Sequence, residues 1–159
     1  MSRQRGLLTI AIGALSIGVL VYVFDQQPEF IYFLPGWLSY NDQMSNVFGS
    51  LGNSLPTFLH VYAFILLTLA IAAPSITKVL PICLAWFCLD SLFELAQIDA
   101  IAQWIAAHSP TSFTGILFLE NASSYFLLGT FDVIDLLSIV TGTVAAYLTV
   151  TVLTRRVSL

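Results

Sequence analysis

Four long runs of apolar residues divide the chain, and each is long enough to cross a lipid bilayer as a helix. They cover residues 6–24, 57–73, 79–97 and 131–153. A transmembrane helix needs about 20 predominantly apolar residues to span the hydrocarbon core. The pattern therefore predicts an all-α integral membrane bundle of four transmembrane helices, which form a single domain over residues 1–159.

The start of the second run carries the signals of a helix N-terminus. Ser54 is a candidate N-cap, and Pro56 falls in the predicted first turn, where its missing N–H leaves no helical hydrogen bond unmade. We therefore expect the second helix to begin near Thr57.

The five basic residues orient the predicted bundle. Arg3 and Arg5 precede the first span, Lys78 lies between the second and third, and Arg155 and Arg156 follow the fourth. With four spans all five lie on one side, which the positive-inside rule identifies as the cytoplasm. The sequence thus predicts a multi-pass protein of the plasma membrane, the inner membrane in a bacterium, with both termini cytoplasmic.

Composition agrees with this class. Of the 159 residues 58% are hydrophobic and 9% are charged, and the mean hydropathy is +0.90, whereas a soluble domain carries about 25% charged residues. The lipid bilayer is therefore the first expected partner. The chain has no Gly-rich phosphate loop, nucleophile elbow or basic patch, so nothing supports nucleotide hydrolysis or nucleic-acid binding.

The two predicted outer connections are long and rich in aromatic residues. These are Phe30, Tyr32, Phe33, Trp37 and Tyr40 in the first, and Trp104, Phe113, Phe118, Tyr125 and Phe126 in the second. Because aromatic side chains concentrate at membrane interfaces, we expect both connections to lie in the outer headgroup layer. In the second, Ile101, Trp104 and Ile105 recur at helical spacing. They predict a short interfacial helix over residues 99–107, which Pro110 ends.

Polar side chains lie near the predicted outer ends of three different spans. They are His60 on the second, Asp90, Glu94 and Gln97 on the third, and Asp132 and Asp135 on the fourth. Residues four and seven apart share a helix face, so the three on the third span should form one stripe. Gly142 follows Asp135 along one stripe of the fourth span and would let a neighbouring helix approach closely. We predict a polar pocket near the outer surface.

The predicted pocket has an excess of negative charge. A carboxylate inside the bilayer costs roughly 2.5–3.5 kcal/mol and normally has a partner, yet the outer half has no Lys or Arg and His60 is the only candidate cation near the pocket. Shared protons or a bound cation can neutralise this excess negative charge, and water at the bilayer edge can solvate it. The sequence requires no cofactor. If a divalent metal is bound, its candidate ligands are His60, Glu94 and Asp135.

A structural interpretation competes with the functional one. Asp132 alone is best explained as the N-cap of the fourth helix, and the whole set can act as interhelical hydrogen-bonding groups. For His60, Glu94 and Asp135 we favour a functional site, because ionisable residues inside a membrane are usually functional. No short metal motif such as HExxH narrows the chemistry.

Several of these residues stand in an order that resembles the VanZ-like membrane proteins. The resemblance rests on His60 at the head of a span, Glu94-Leu95-Ala96-Gln97 closing the next, and Gly129-Thr130-Phe131-Asp132-Val133-Ile134-Asp135 leading into a last span that contains Gly142. It covers roughly residues 55–150. The chain has Gly129 and Thr130 where many members carry an Arg, and Ile139 where they carry an Asn. The resemblance implies a multi-pass protein of the cell envelope with His60, Glu94, Gln97, Asp135 and Gly142 at family positions.

Three hypotheses follow for function. The first is a VanZ-like envelope protein whose outer acidic pocket binds a cation, a lipid headgroup or a cell-wall precursor. The second is a small membrane enzyme acting on a lipid-linked substrate, with His60 as ligand or base and Glu94 or Asp135 as its acid–base partner. The third is an accessory subunit that packs against a larger membrane complex. A proton-coupled transporter ranks below these, because four spans would have to oligomerise to enclose a pathway.

Overall fold

The computed structural model describes residues 3–25, 47–72, 76–110 and 122–156. Within these ranges 88% of the residues are helical and none is in a strand. The prediction of an all-α chain is therefore confirmed for the described residues.

Six helices follow one another along the described ranges. They are α1 (Arg3–Asp25), α2 (Leu51–Ile71), α3 (Ile76–Leu95), α4 (Asp99–His108), α5 (Ala122–Leu128) and α6 (Val133–Arg156). Helices α1, α2 and α6 are each long and apolar enough to cross a membrane. Helices α3 and α4 meet this criterion only as a pair, bent by 91°. The described helices thus supply three candidate spans, or four if the bent pair is one span.

Helix α2 begins a full turn earlier than the sequence suggests. It starts at Leu51, after Ser50, so Ser54 is not its N-cap and Pro56 lies inside the helix. The reason is a long-range contact, because the Asp25 carboxylate accepts hydrogen bonds from the backbone N–H groups of Val47 and Phe48, each at 2.9 Å. These two hydrogen bonds hold the backbone in place just before α2.

Helix α3 ends before Gln97, which the sequence places on the same helical stripe as Asp90 and Glu94. The helix stops at Leu95, and the Gln97 N–H donates to the Glu94 carbonyl in a tight turn at 3.1 Å. That turn directs the chain into α4. The predicted short helix near residues 99–107 is confirmed as α4, and Pro110 follows it.

Helix α2 is the centre of the bundle and packs against α1, α3 and α6. Of its membrane-length window 44% is buried, against 28% for α1 and 22% for α6. Its Val61, Ile65 and Leu66 are fully buried. Large apolar side chains such as Ile12 of α1 and Leu148 of α6 are more than half exposed, as expected for a bundle surrounded by lipid.

Helices α2 and α6 approach each other closely at Gly142. A Cβ added at this glycine would lie 2.5 Å from Val61 Cγ1 and 2.8 Å from the Phe58 carbonyl oxygen. The prediction that Gly142 admits a neighbouring helix is therefore confirmed. Further along the same interface, the Tyr62 and Thr149 hydroxyls are hydrogen-bonded at 3.1 Å.

Some predicted features lie outside the described residues. These are the aromatic residues of the first connection, residues 30–40, and Phe113 and Phe118 of the second.

Candidate functional site

Helices α2 and α3 meet at a histidine–aspartate pair. His60 Nδ1 lies 3.5 Å from Asp90 Oδ2, and the Asp90 side chain is 11% exposed whereas that of His60 is 51% exposed. The imidazole packs against Phe64 and Trp86, and its centroid lies 4.4 Å from that of the Phe64 ring and 6.4 Å from that of the Trp86 ring. Trp86 Nε1 also donates to the Thr68 hydroxyl at 2.9 Å, which holds α3 against α2. The pair thus lies at an edge of the bundle with the imidazole turned outward.

Glu94 contacts a different element. Its side chain is 7% exposed, and its Oε1 accepts a hydrogen bond from the Asp132 backbone N–H at 2.7 Å. Asp132 Oδ1 in turn accepts from the Ile134 N–H at 2.8 Å, which is the bond that an N-cap side chain makes. The prediction that Asp132 caps this helix is confirmed. Both carboxylates therefore organise the start of α6.

Asp135 lies in the first turn of α6 and is half-buried. Its side chain is hydrogen-bonded to Thr57 of α2. Two carboxylate oxygens, Asp135 Oδ1 and Asp90 Oδ2, are nevertheless buried without a hydrogen-bond partner among the described residues. A buried polar atom without a partner is costly, and more so when it carries charge. The site is least well satisfied at these two oxygens, although Asp90 Oδ2 has the His60 imidazole at 3.5 Å.

Helix α5 lies beside the end of α3 that carries Glu94, and it contacts Phe93 and Gln97. Gln97 Nε2 donates to the Tyr125 hydroxyl at 3.3 Å, and the Tyr125 ring lies edge-on to Phe93 with centroids 6.4 Å apart. Burial raises the pKa of the Tyr125 phenol, and the Glu94 carboxylate raises it further. The Gln97 amide also lies against Gly129, where a Cβ would collide with it. Gln97 therefore joins the site from the turn after α3.

The structure does not assemble the predicted metal ligands. Among the described residues, no group of three or more His, Cys, Asp or Glu side chains is placed to hold a metal ion, so His60, Glu94 and Asp135 do not converge. The reason is their separate partners, since His60 lies beside Asp90 and Glu94 accepts a backbone hydrogen bond.

Three members of the site are absent from the sequence-based prediction. They are Tyr22, Thr57 and Tyr125. Tyr22, near the end of α1, lies close enough to Asp135 and Tyr125 to interact with both electrostatically. The sequence contains a signal for Thr57, because a polar residue one helical turn before His60 lies on the same helix face. It contains no signal that distinguishes Tyr22 and Tyr125, because aromatic residues are frequent throughout the chain.

Positive charge is scarce around the site. The sequence has no Lys or Arg between Arg5 and Lys78, and none between Lys78 and Arg155. The segments that carry His60 and the four carboxylates therefore contain no basic residue except histidine. Chemically, such a site attracts cations and can exchange protons.

These features define the class of protein: an all-α protein with several helices of membrane length and a carboxylate-rich site at one end of the bundle. Protein-family models, curated proteins and solved structures were each compared with the chain, and none matched it. The function is therefore inferred from the geometry of the site.

Proposed function

We propose that the chain is a four-span protein of the bacterial inner membrane, similar to the VanZ-like proteins, whose outer acidic pocket binds a cationic group. The pocket consists of Asp90, Asp135 and His60, with Thr57 beside them. Glu94 and Asp132 support it by organising the start of α6. The cationic group is the ammonium group of a lipid headgroup or cell-wall precursor, because no group of three described His, Cys, Asp or Glu side chains is placed to hold a metal ion.

The helix connections support the proposed orientation. The end of α1 meets the start of α2 through Asp25, and Glu94 at the end of α3 meets the start of α6. At the other end, Lys78 Nζ donates to the Ala72 carbonyl at 3.0 Å, next to the end of α2. Four antiparallel spans then put every basic residue on one side, and the positive-inside rule makes that side cytoplasmic. In this arrangement α3 alone is the third span and α4 leaves the membrane core.

One observation carries the proposed function: Asp90 Oδ2 and Asp135 Oδ1 are buried without hydrogen-bond partners among the described residues. A carboxylate in a low-dielectric bundle is poorly solvated. A bound cationic group would relieve this penalty. The imidazole of His60, 3.5 Å from Asp90, supplies at most one positive charge to the pocket.

A cation titration tests this proposal. The protein in lipid nanodiscs would be heated with and without MgCl₂, CaCl₂ or ethanolamine at constant ionic strength. A ligand that binds only the native state adds about 2.7 kcal/mol of stability at 100 times its Kd. We expect ethanolamine to raise the unfolding midpoint of the native protein more than either metal salt, and Asp90→Asn and Asp135→Asn to abolish that rise.

The matched control is Asp99→Asn, which neutralises an exposed carboxylate on α4. This variant should keep the full cation response. If no cation raises the midpoint of the native protein, or if both pocket variants keep the response, the pocket does not bind cations.

The orientation has its own test, which does not depend on the pocket. In a background with Cys83 and Cys88 replaced by Ala, a cysteine at Asn53 should react with a membrane-impermeant maleimide on intact cells. A cysteine at Thr77 should react only after the membrane is permeabilised. The reverse pattern would contradict cytoplasmic termini.

A second candidate function is an accessory subunit of a larger membrane complex. It is favoured by the 51% exposure of the His60 side chain, which lies about 13 Å along α2 from Leu51. Ionisable side chains at such depth normally face protein or water and not lipid. A partner helix would cover it, and site-specific photocrosslinking from Phe64 to another protein in cells would support this alternative.

A further inference from the structure

Helix α4 carries a mainly apolar face that is largely exposed. Ile101 and Trp104 are 41% and 63% exposed, and with Ile105 they are spaced i, i+3 and i+4 and so share one side of the helix. His108, one turn after Trp104, ends this face, and its imidazole stacks on the indole with ring centroids 4.6 Å apart.

Asp99 and Gln103 lie on the opposite side of α4 and are exposed. The helix is therefore amphipathic, and its apolar face can contact an environment outside the bundle.

The direction of α4 indicates what that environment is. Its axis lies at 91° to that of α3, so if α3 crosses the membrane, as proposed above, α4 lies in the membrane plane. Ten residues extend only about 15 Å, too short to cross the hydrocarbon core. Tryptophan favours the headgroup level, where its apolar ring is buried and its N–H stays hydrated. These properties are those of an in-plane interfacial helix.

Helix α4 also contacts α5, the helix that lies beside the acidic site. Ser123 Oγ, in α5, donates to Ser109 Oγ at the end of α4 at 2.9 Å, and the two helices pack together. From α5, Tyr125 contacts Gln97, and Phe126 contacts Phe93 with ring centroids 5.7 Å apart. A chain of contacts thus runs from the exposed face of α4 to the outer end of the carboxylate cluster.

We propose that the Ile101–Trp104–Ile105 face of α4 is seated in the outer headgroup layer of the lipid bilayer, and that this contact holds α5 over the acidic site. The proposal rests on the orientation proposed above. The lipid surface then has a second role. Besides surrounding the spans, it positions α5 over the acidic site.

Tryptophan fluorescence tests the seating. The native protein and Trp104→Phe would be compared in phosphatidylcholine vesicles whose acyl chains are brominated near the headgroup, and separately with aqueous iodide. The difference between the two proteins isolates Trp104. We expect this component to be quenched strongly by the brominated lipid and weakly by iodide. Quenching by iodide alone would mean that the face is in water, and quenching by neither would mean that a protein covers it; either result overturns the proposal.

Hydrogen exchange tests the coupling to α5. Trp104→Glu puts a charge on the lipid-facing side, whereas Gln103→Glu puts the same charge on the polar side as a matched control. We expect Trp104→Glu to accelerate amide exchange over residues 122–128 by about tenfold, because weaker seating lowers the cost of local opening. Gln103→Glu should leave it unchanged. Equal exchange in both variants, fast or slow, would overturn the coupling.

Failure of this proposal and failure of the proposed function can be told apart. The maleimide pattern at Asn53 and Thr77 reports orientation, and the cation titration reports the pocket, and neither depends on Trp104. A correct orientation together with an iodide-quenched Trp104 would reject only the seating of α4.

Discussion

Two junctions at the acidic end of the bundle use the same residue types in different ways. At the α3–α6 junction, the Glu94 and Asp132 carboxylates each accept a backbone N–H, at 2.7 and 2.8 Å. At the α2–α3 junction, Asp90 faces an imidazole at 3.5 Å, and its buried oxygen has no hydrogen bond among the described residues. The two junctions differ in the partner of the carboxylate, which is a backbone N–H at the first and the His60 imidazole at the second.

This comparison changes how the acidic residues are interpreted. The first N–H groups of a helix lack partners within the helix, and the helix dipole favours negative charge there. Glu94 and Asp132 are thus stabilised by the start of α6 and need no ligand. Asp90 and Asp135 each retain an oxygen that no described group satisfies. A functional role is therefore best assigned to the second pair.

The largest expected effect is loss of the packing that supports both junctions. Gly142→Leu should destabilise the protein by about 3 kcal/mol, because the new side chain meets the Phe58 backbone oxygen and Val61. The control is Gly13→Leu on α1, where an added Cβ meets nothing within 4 Å. Unfolding in detergent would measure both. Similar stability of the two variants would contradict the close α2–α6 contact.

At the capping junction, Glu94→Ala should cost about 1–3 kcal/mol, because it leaves the Asp132 N–H buried without an acceptor. Glu94→Gln keeps a side-chain carbonyl as acceptor and should cost less than about 1 kcal/mol. Chemical unfolding of both variants would measure the difference. If Gln is as damaging as Ala, the charge of Glu94 matters and its role is not simply capping.

At the pocket junction, Asp90→Asn should change the free energy of unfolding by less than about 1 kcal/mol, because its buried oxygen accepts no hydrogen bond from a described group and lies 3.5 Å from the His60 imidazole. The same variant should nevertheless lose the cation response. A loss of stability as large as that of Glu94→Ala would mean that the two junctions are alike.

The smallest expected effect lies away from both junctions. Tyr62→Phe removes the hydroxyl pair with Thr149 between α2 and α6. Interhelical hydrogen bonds within membranes average about 0.6 kcal/mol, so the unfolding free energy should fall by about that amount and the cation response should be unchanged. A change in the cation response would show that the α2–α6 interface contributes to the pocket.

Features set by local sequence were predictable. The apolar runs, the short α4, the Asp132 cap and the close approach at Gly142 follow from periodicity, from a capping residue or from residue size. The start of α2 was not predictable, because the Asp25 carboxylate that holds the chain there comes from 22 residues earlier.

The pairing within the site also depends on long-range geometry. Sequence reasoning grouped His60 with Glu94 and Asp135, because all three lie near the outer ends of their helices. The rotation of α3 against α2 instead brings Asp90 to His60. Rotation about a helix axis is set by packing of whole faces, and these membrane-facing sequences are apolar nearly all round, so their periodicity contains little information on it.

The most direct test of the difference between the two junctions is the cation titration in nanodiscs, carried out side by side on Asp90→Asn and Glu94→Gln. Asp90→Asn removes a carboxylate charge from the pocket, whereas Glu94→Gln keeps an acceptor for the Asp132 N–H. We predict that Asp90→Asn loses the rise in unfolding midpoint and that Glu94→Gln keeps it. Retention of the rise in Asp90→Asn, or its loss in Glu94→Gln, would contradict the account.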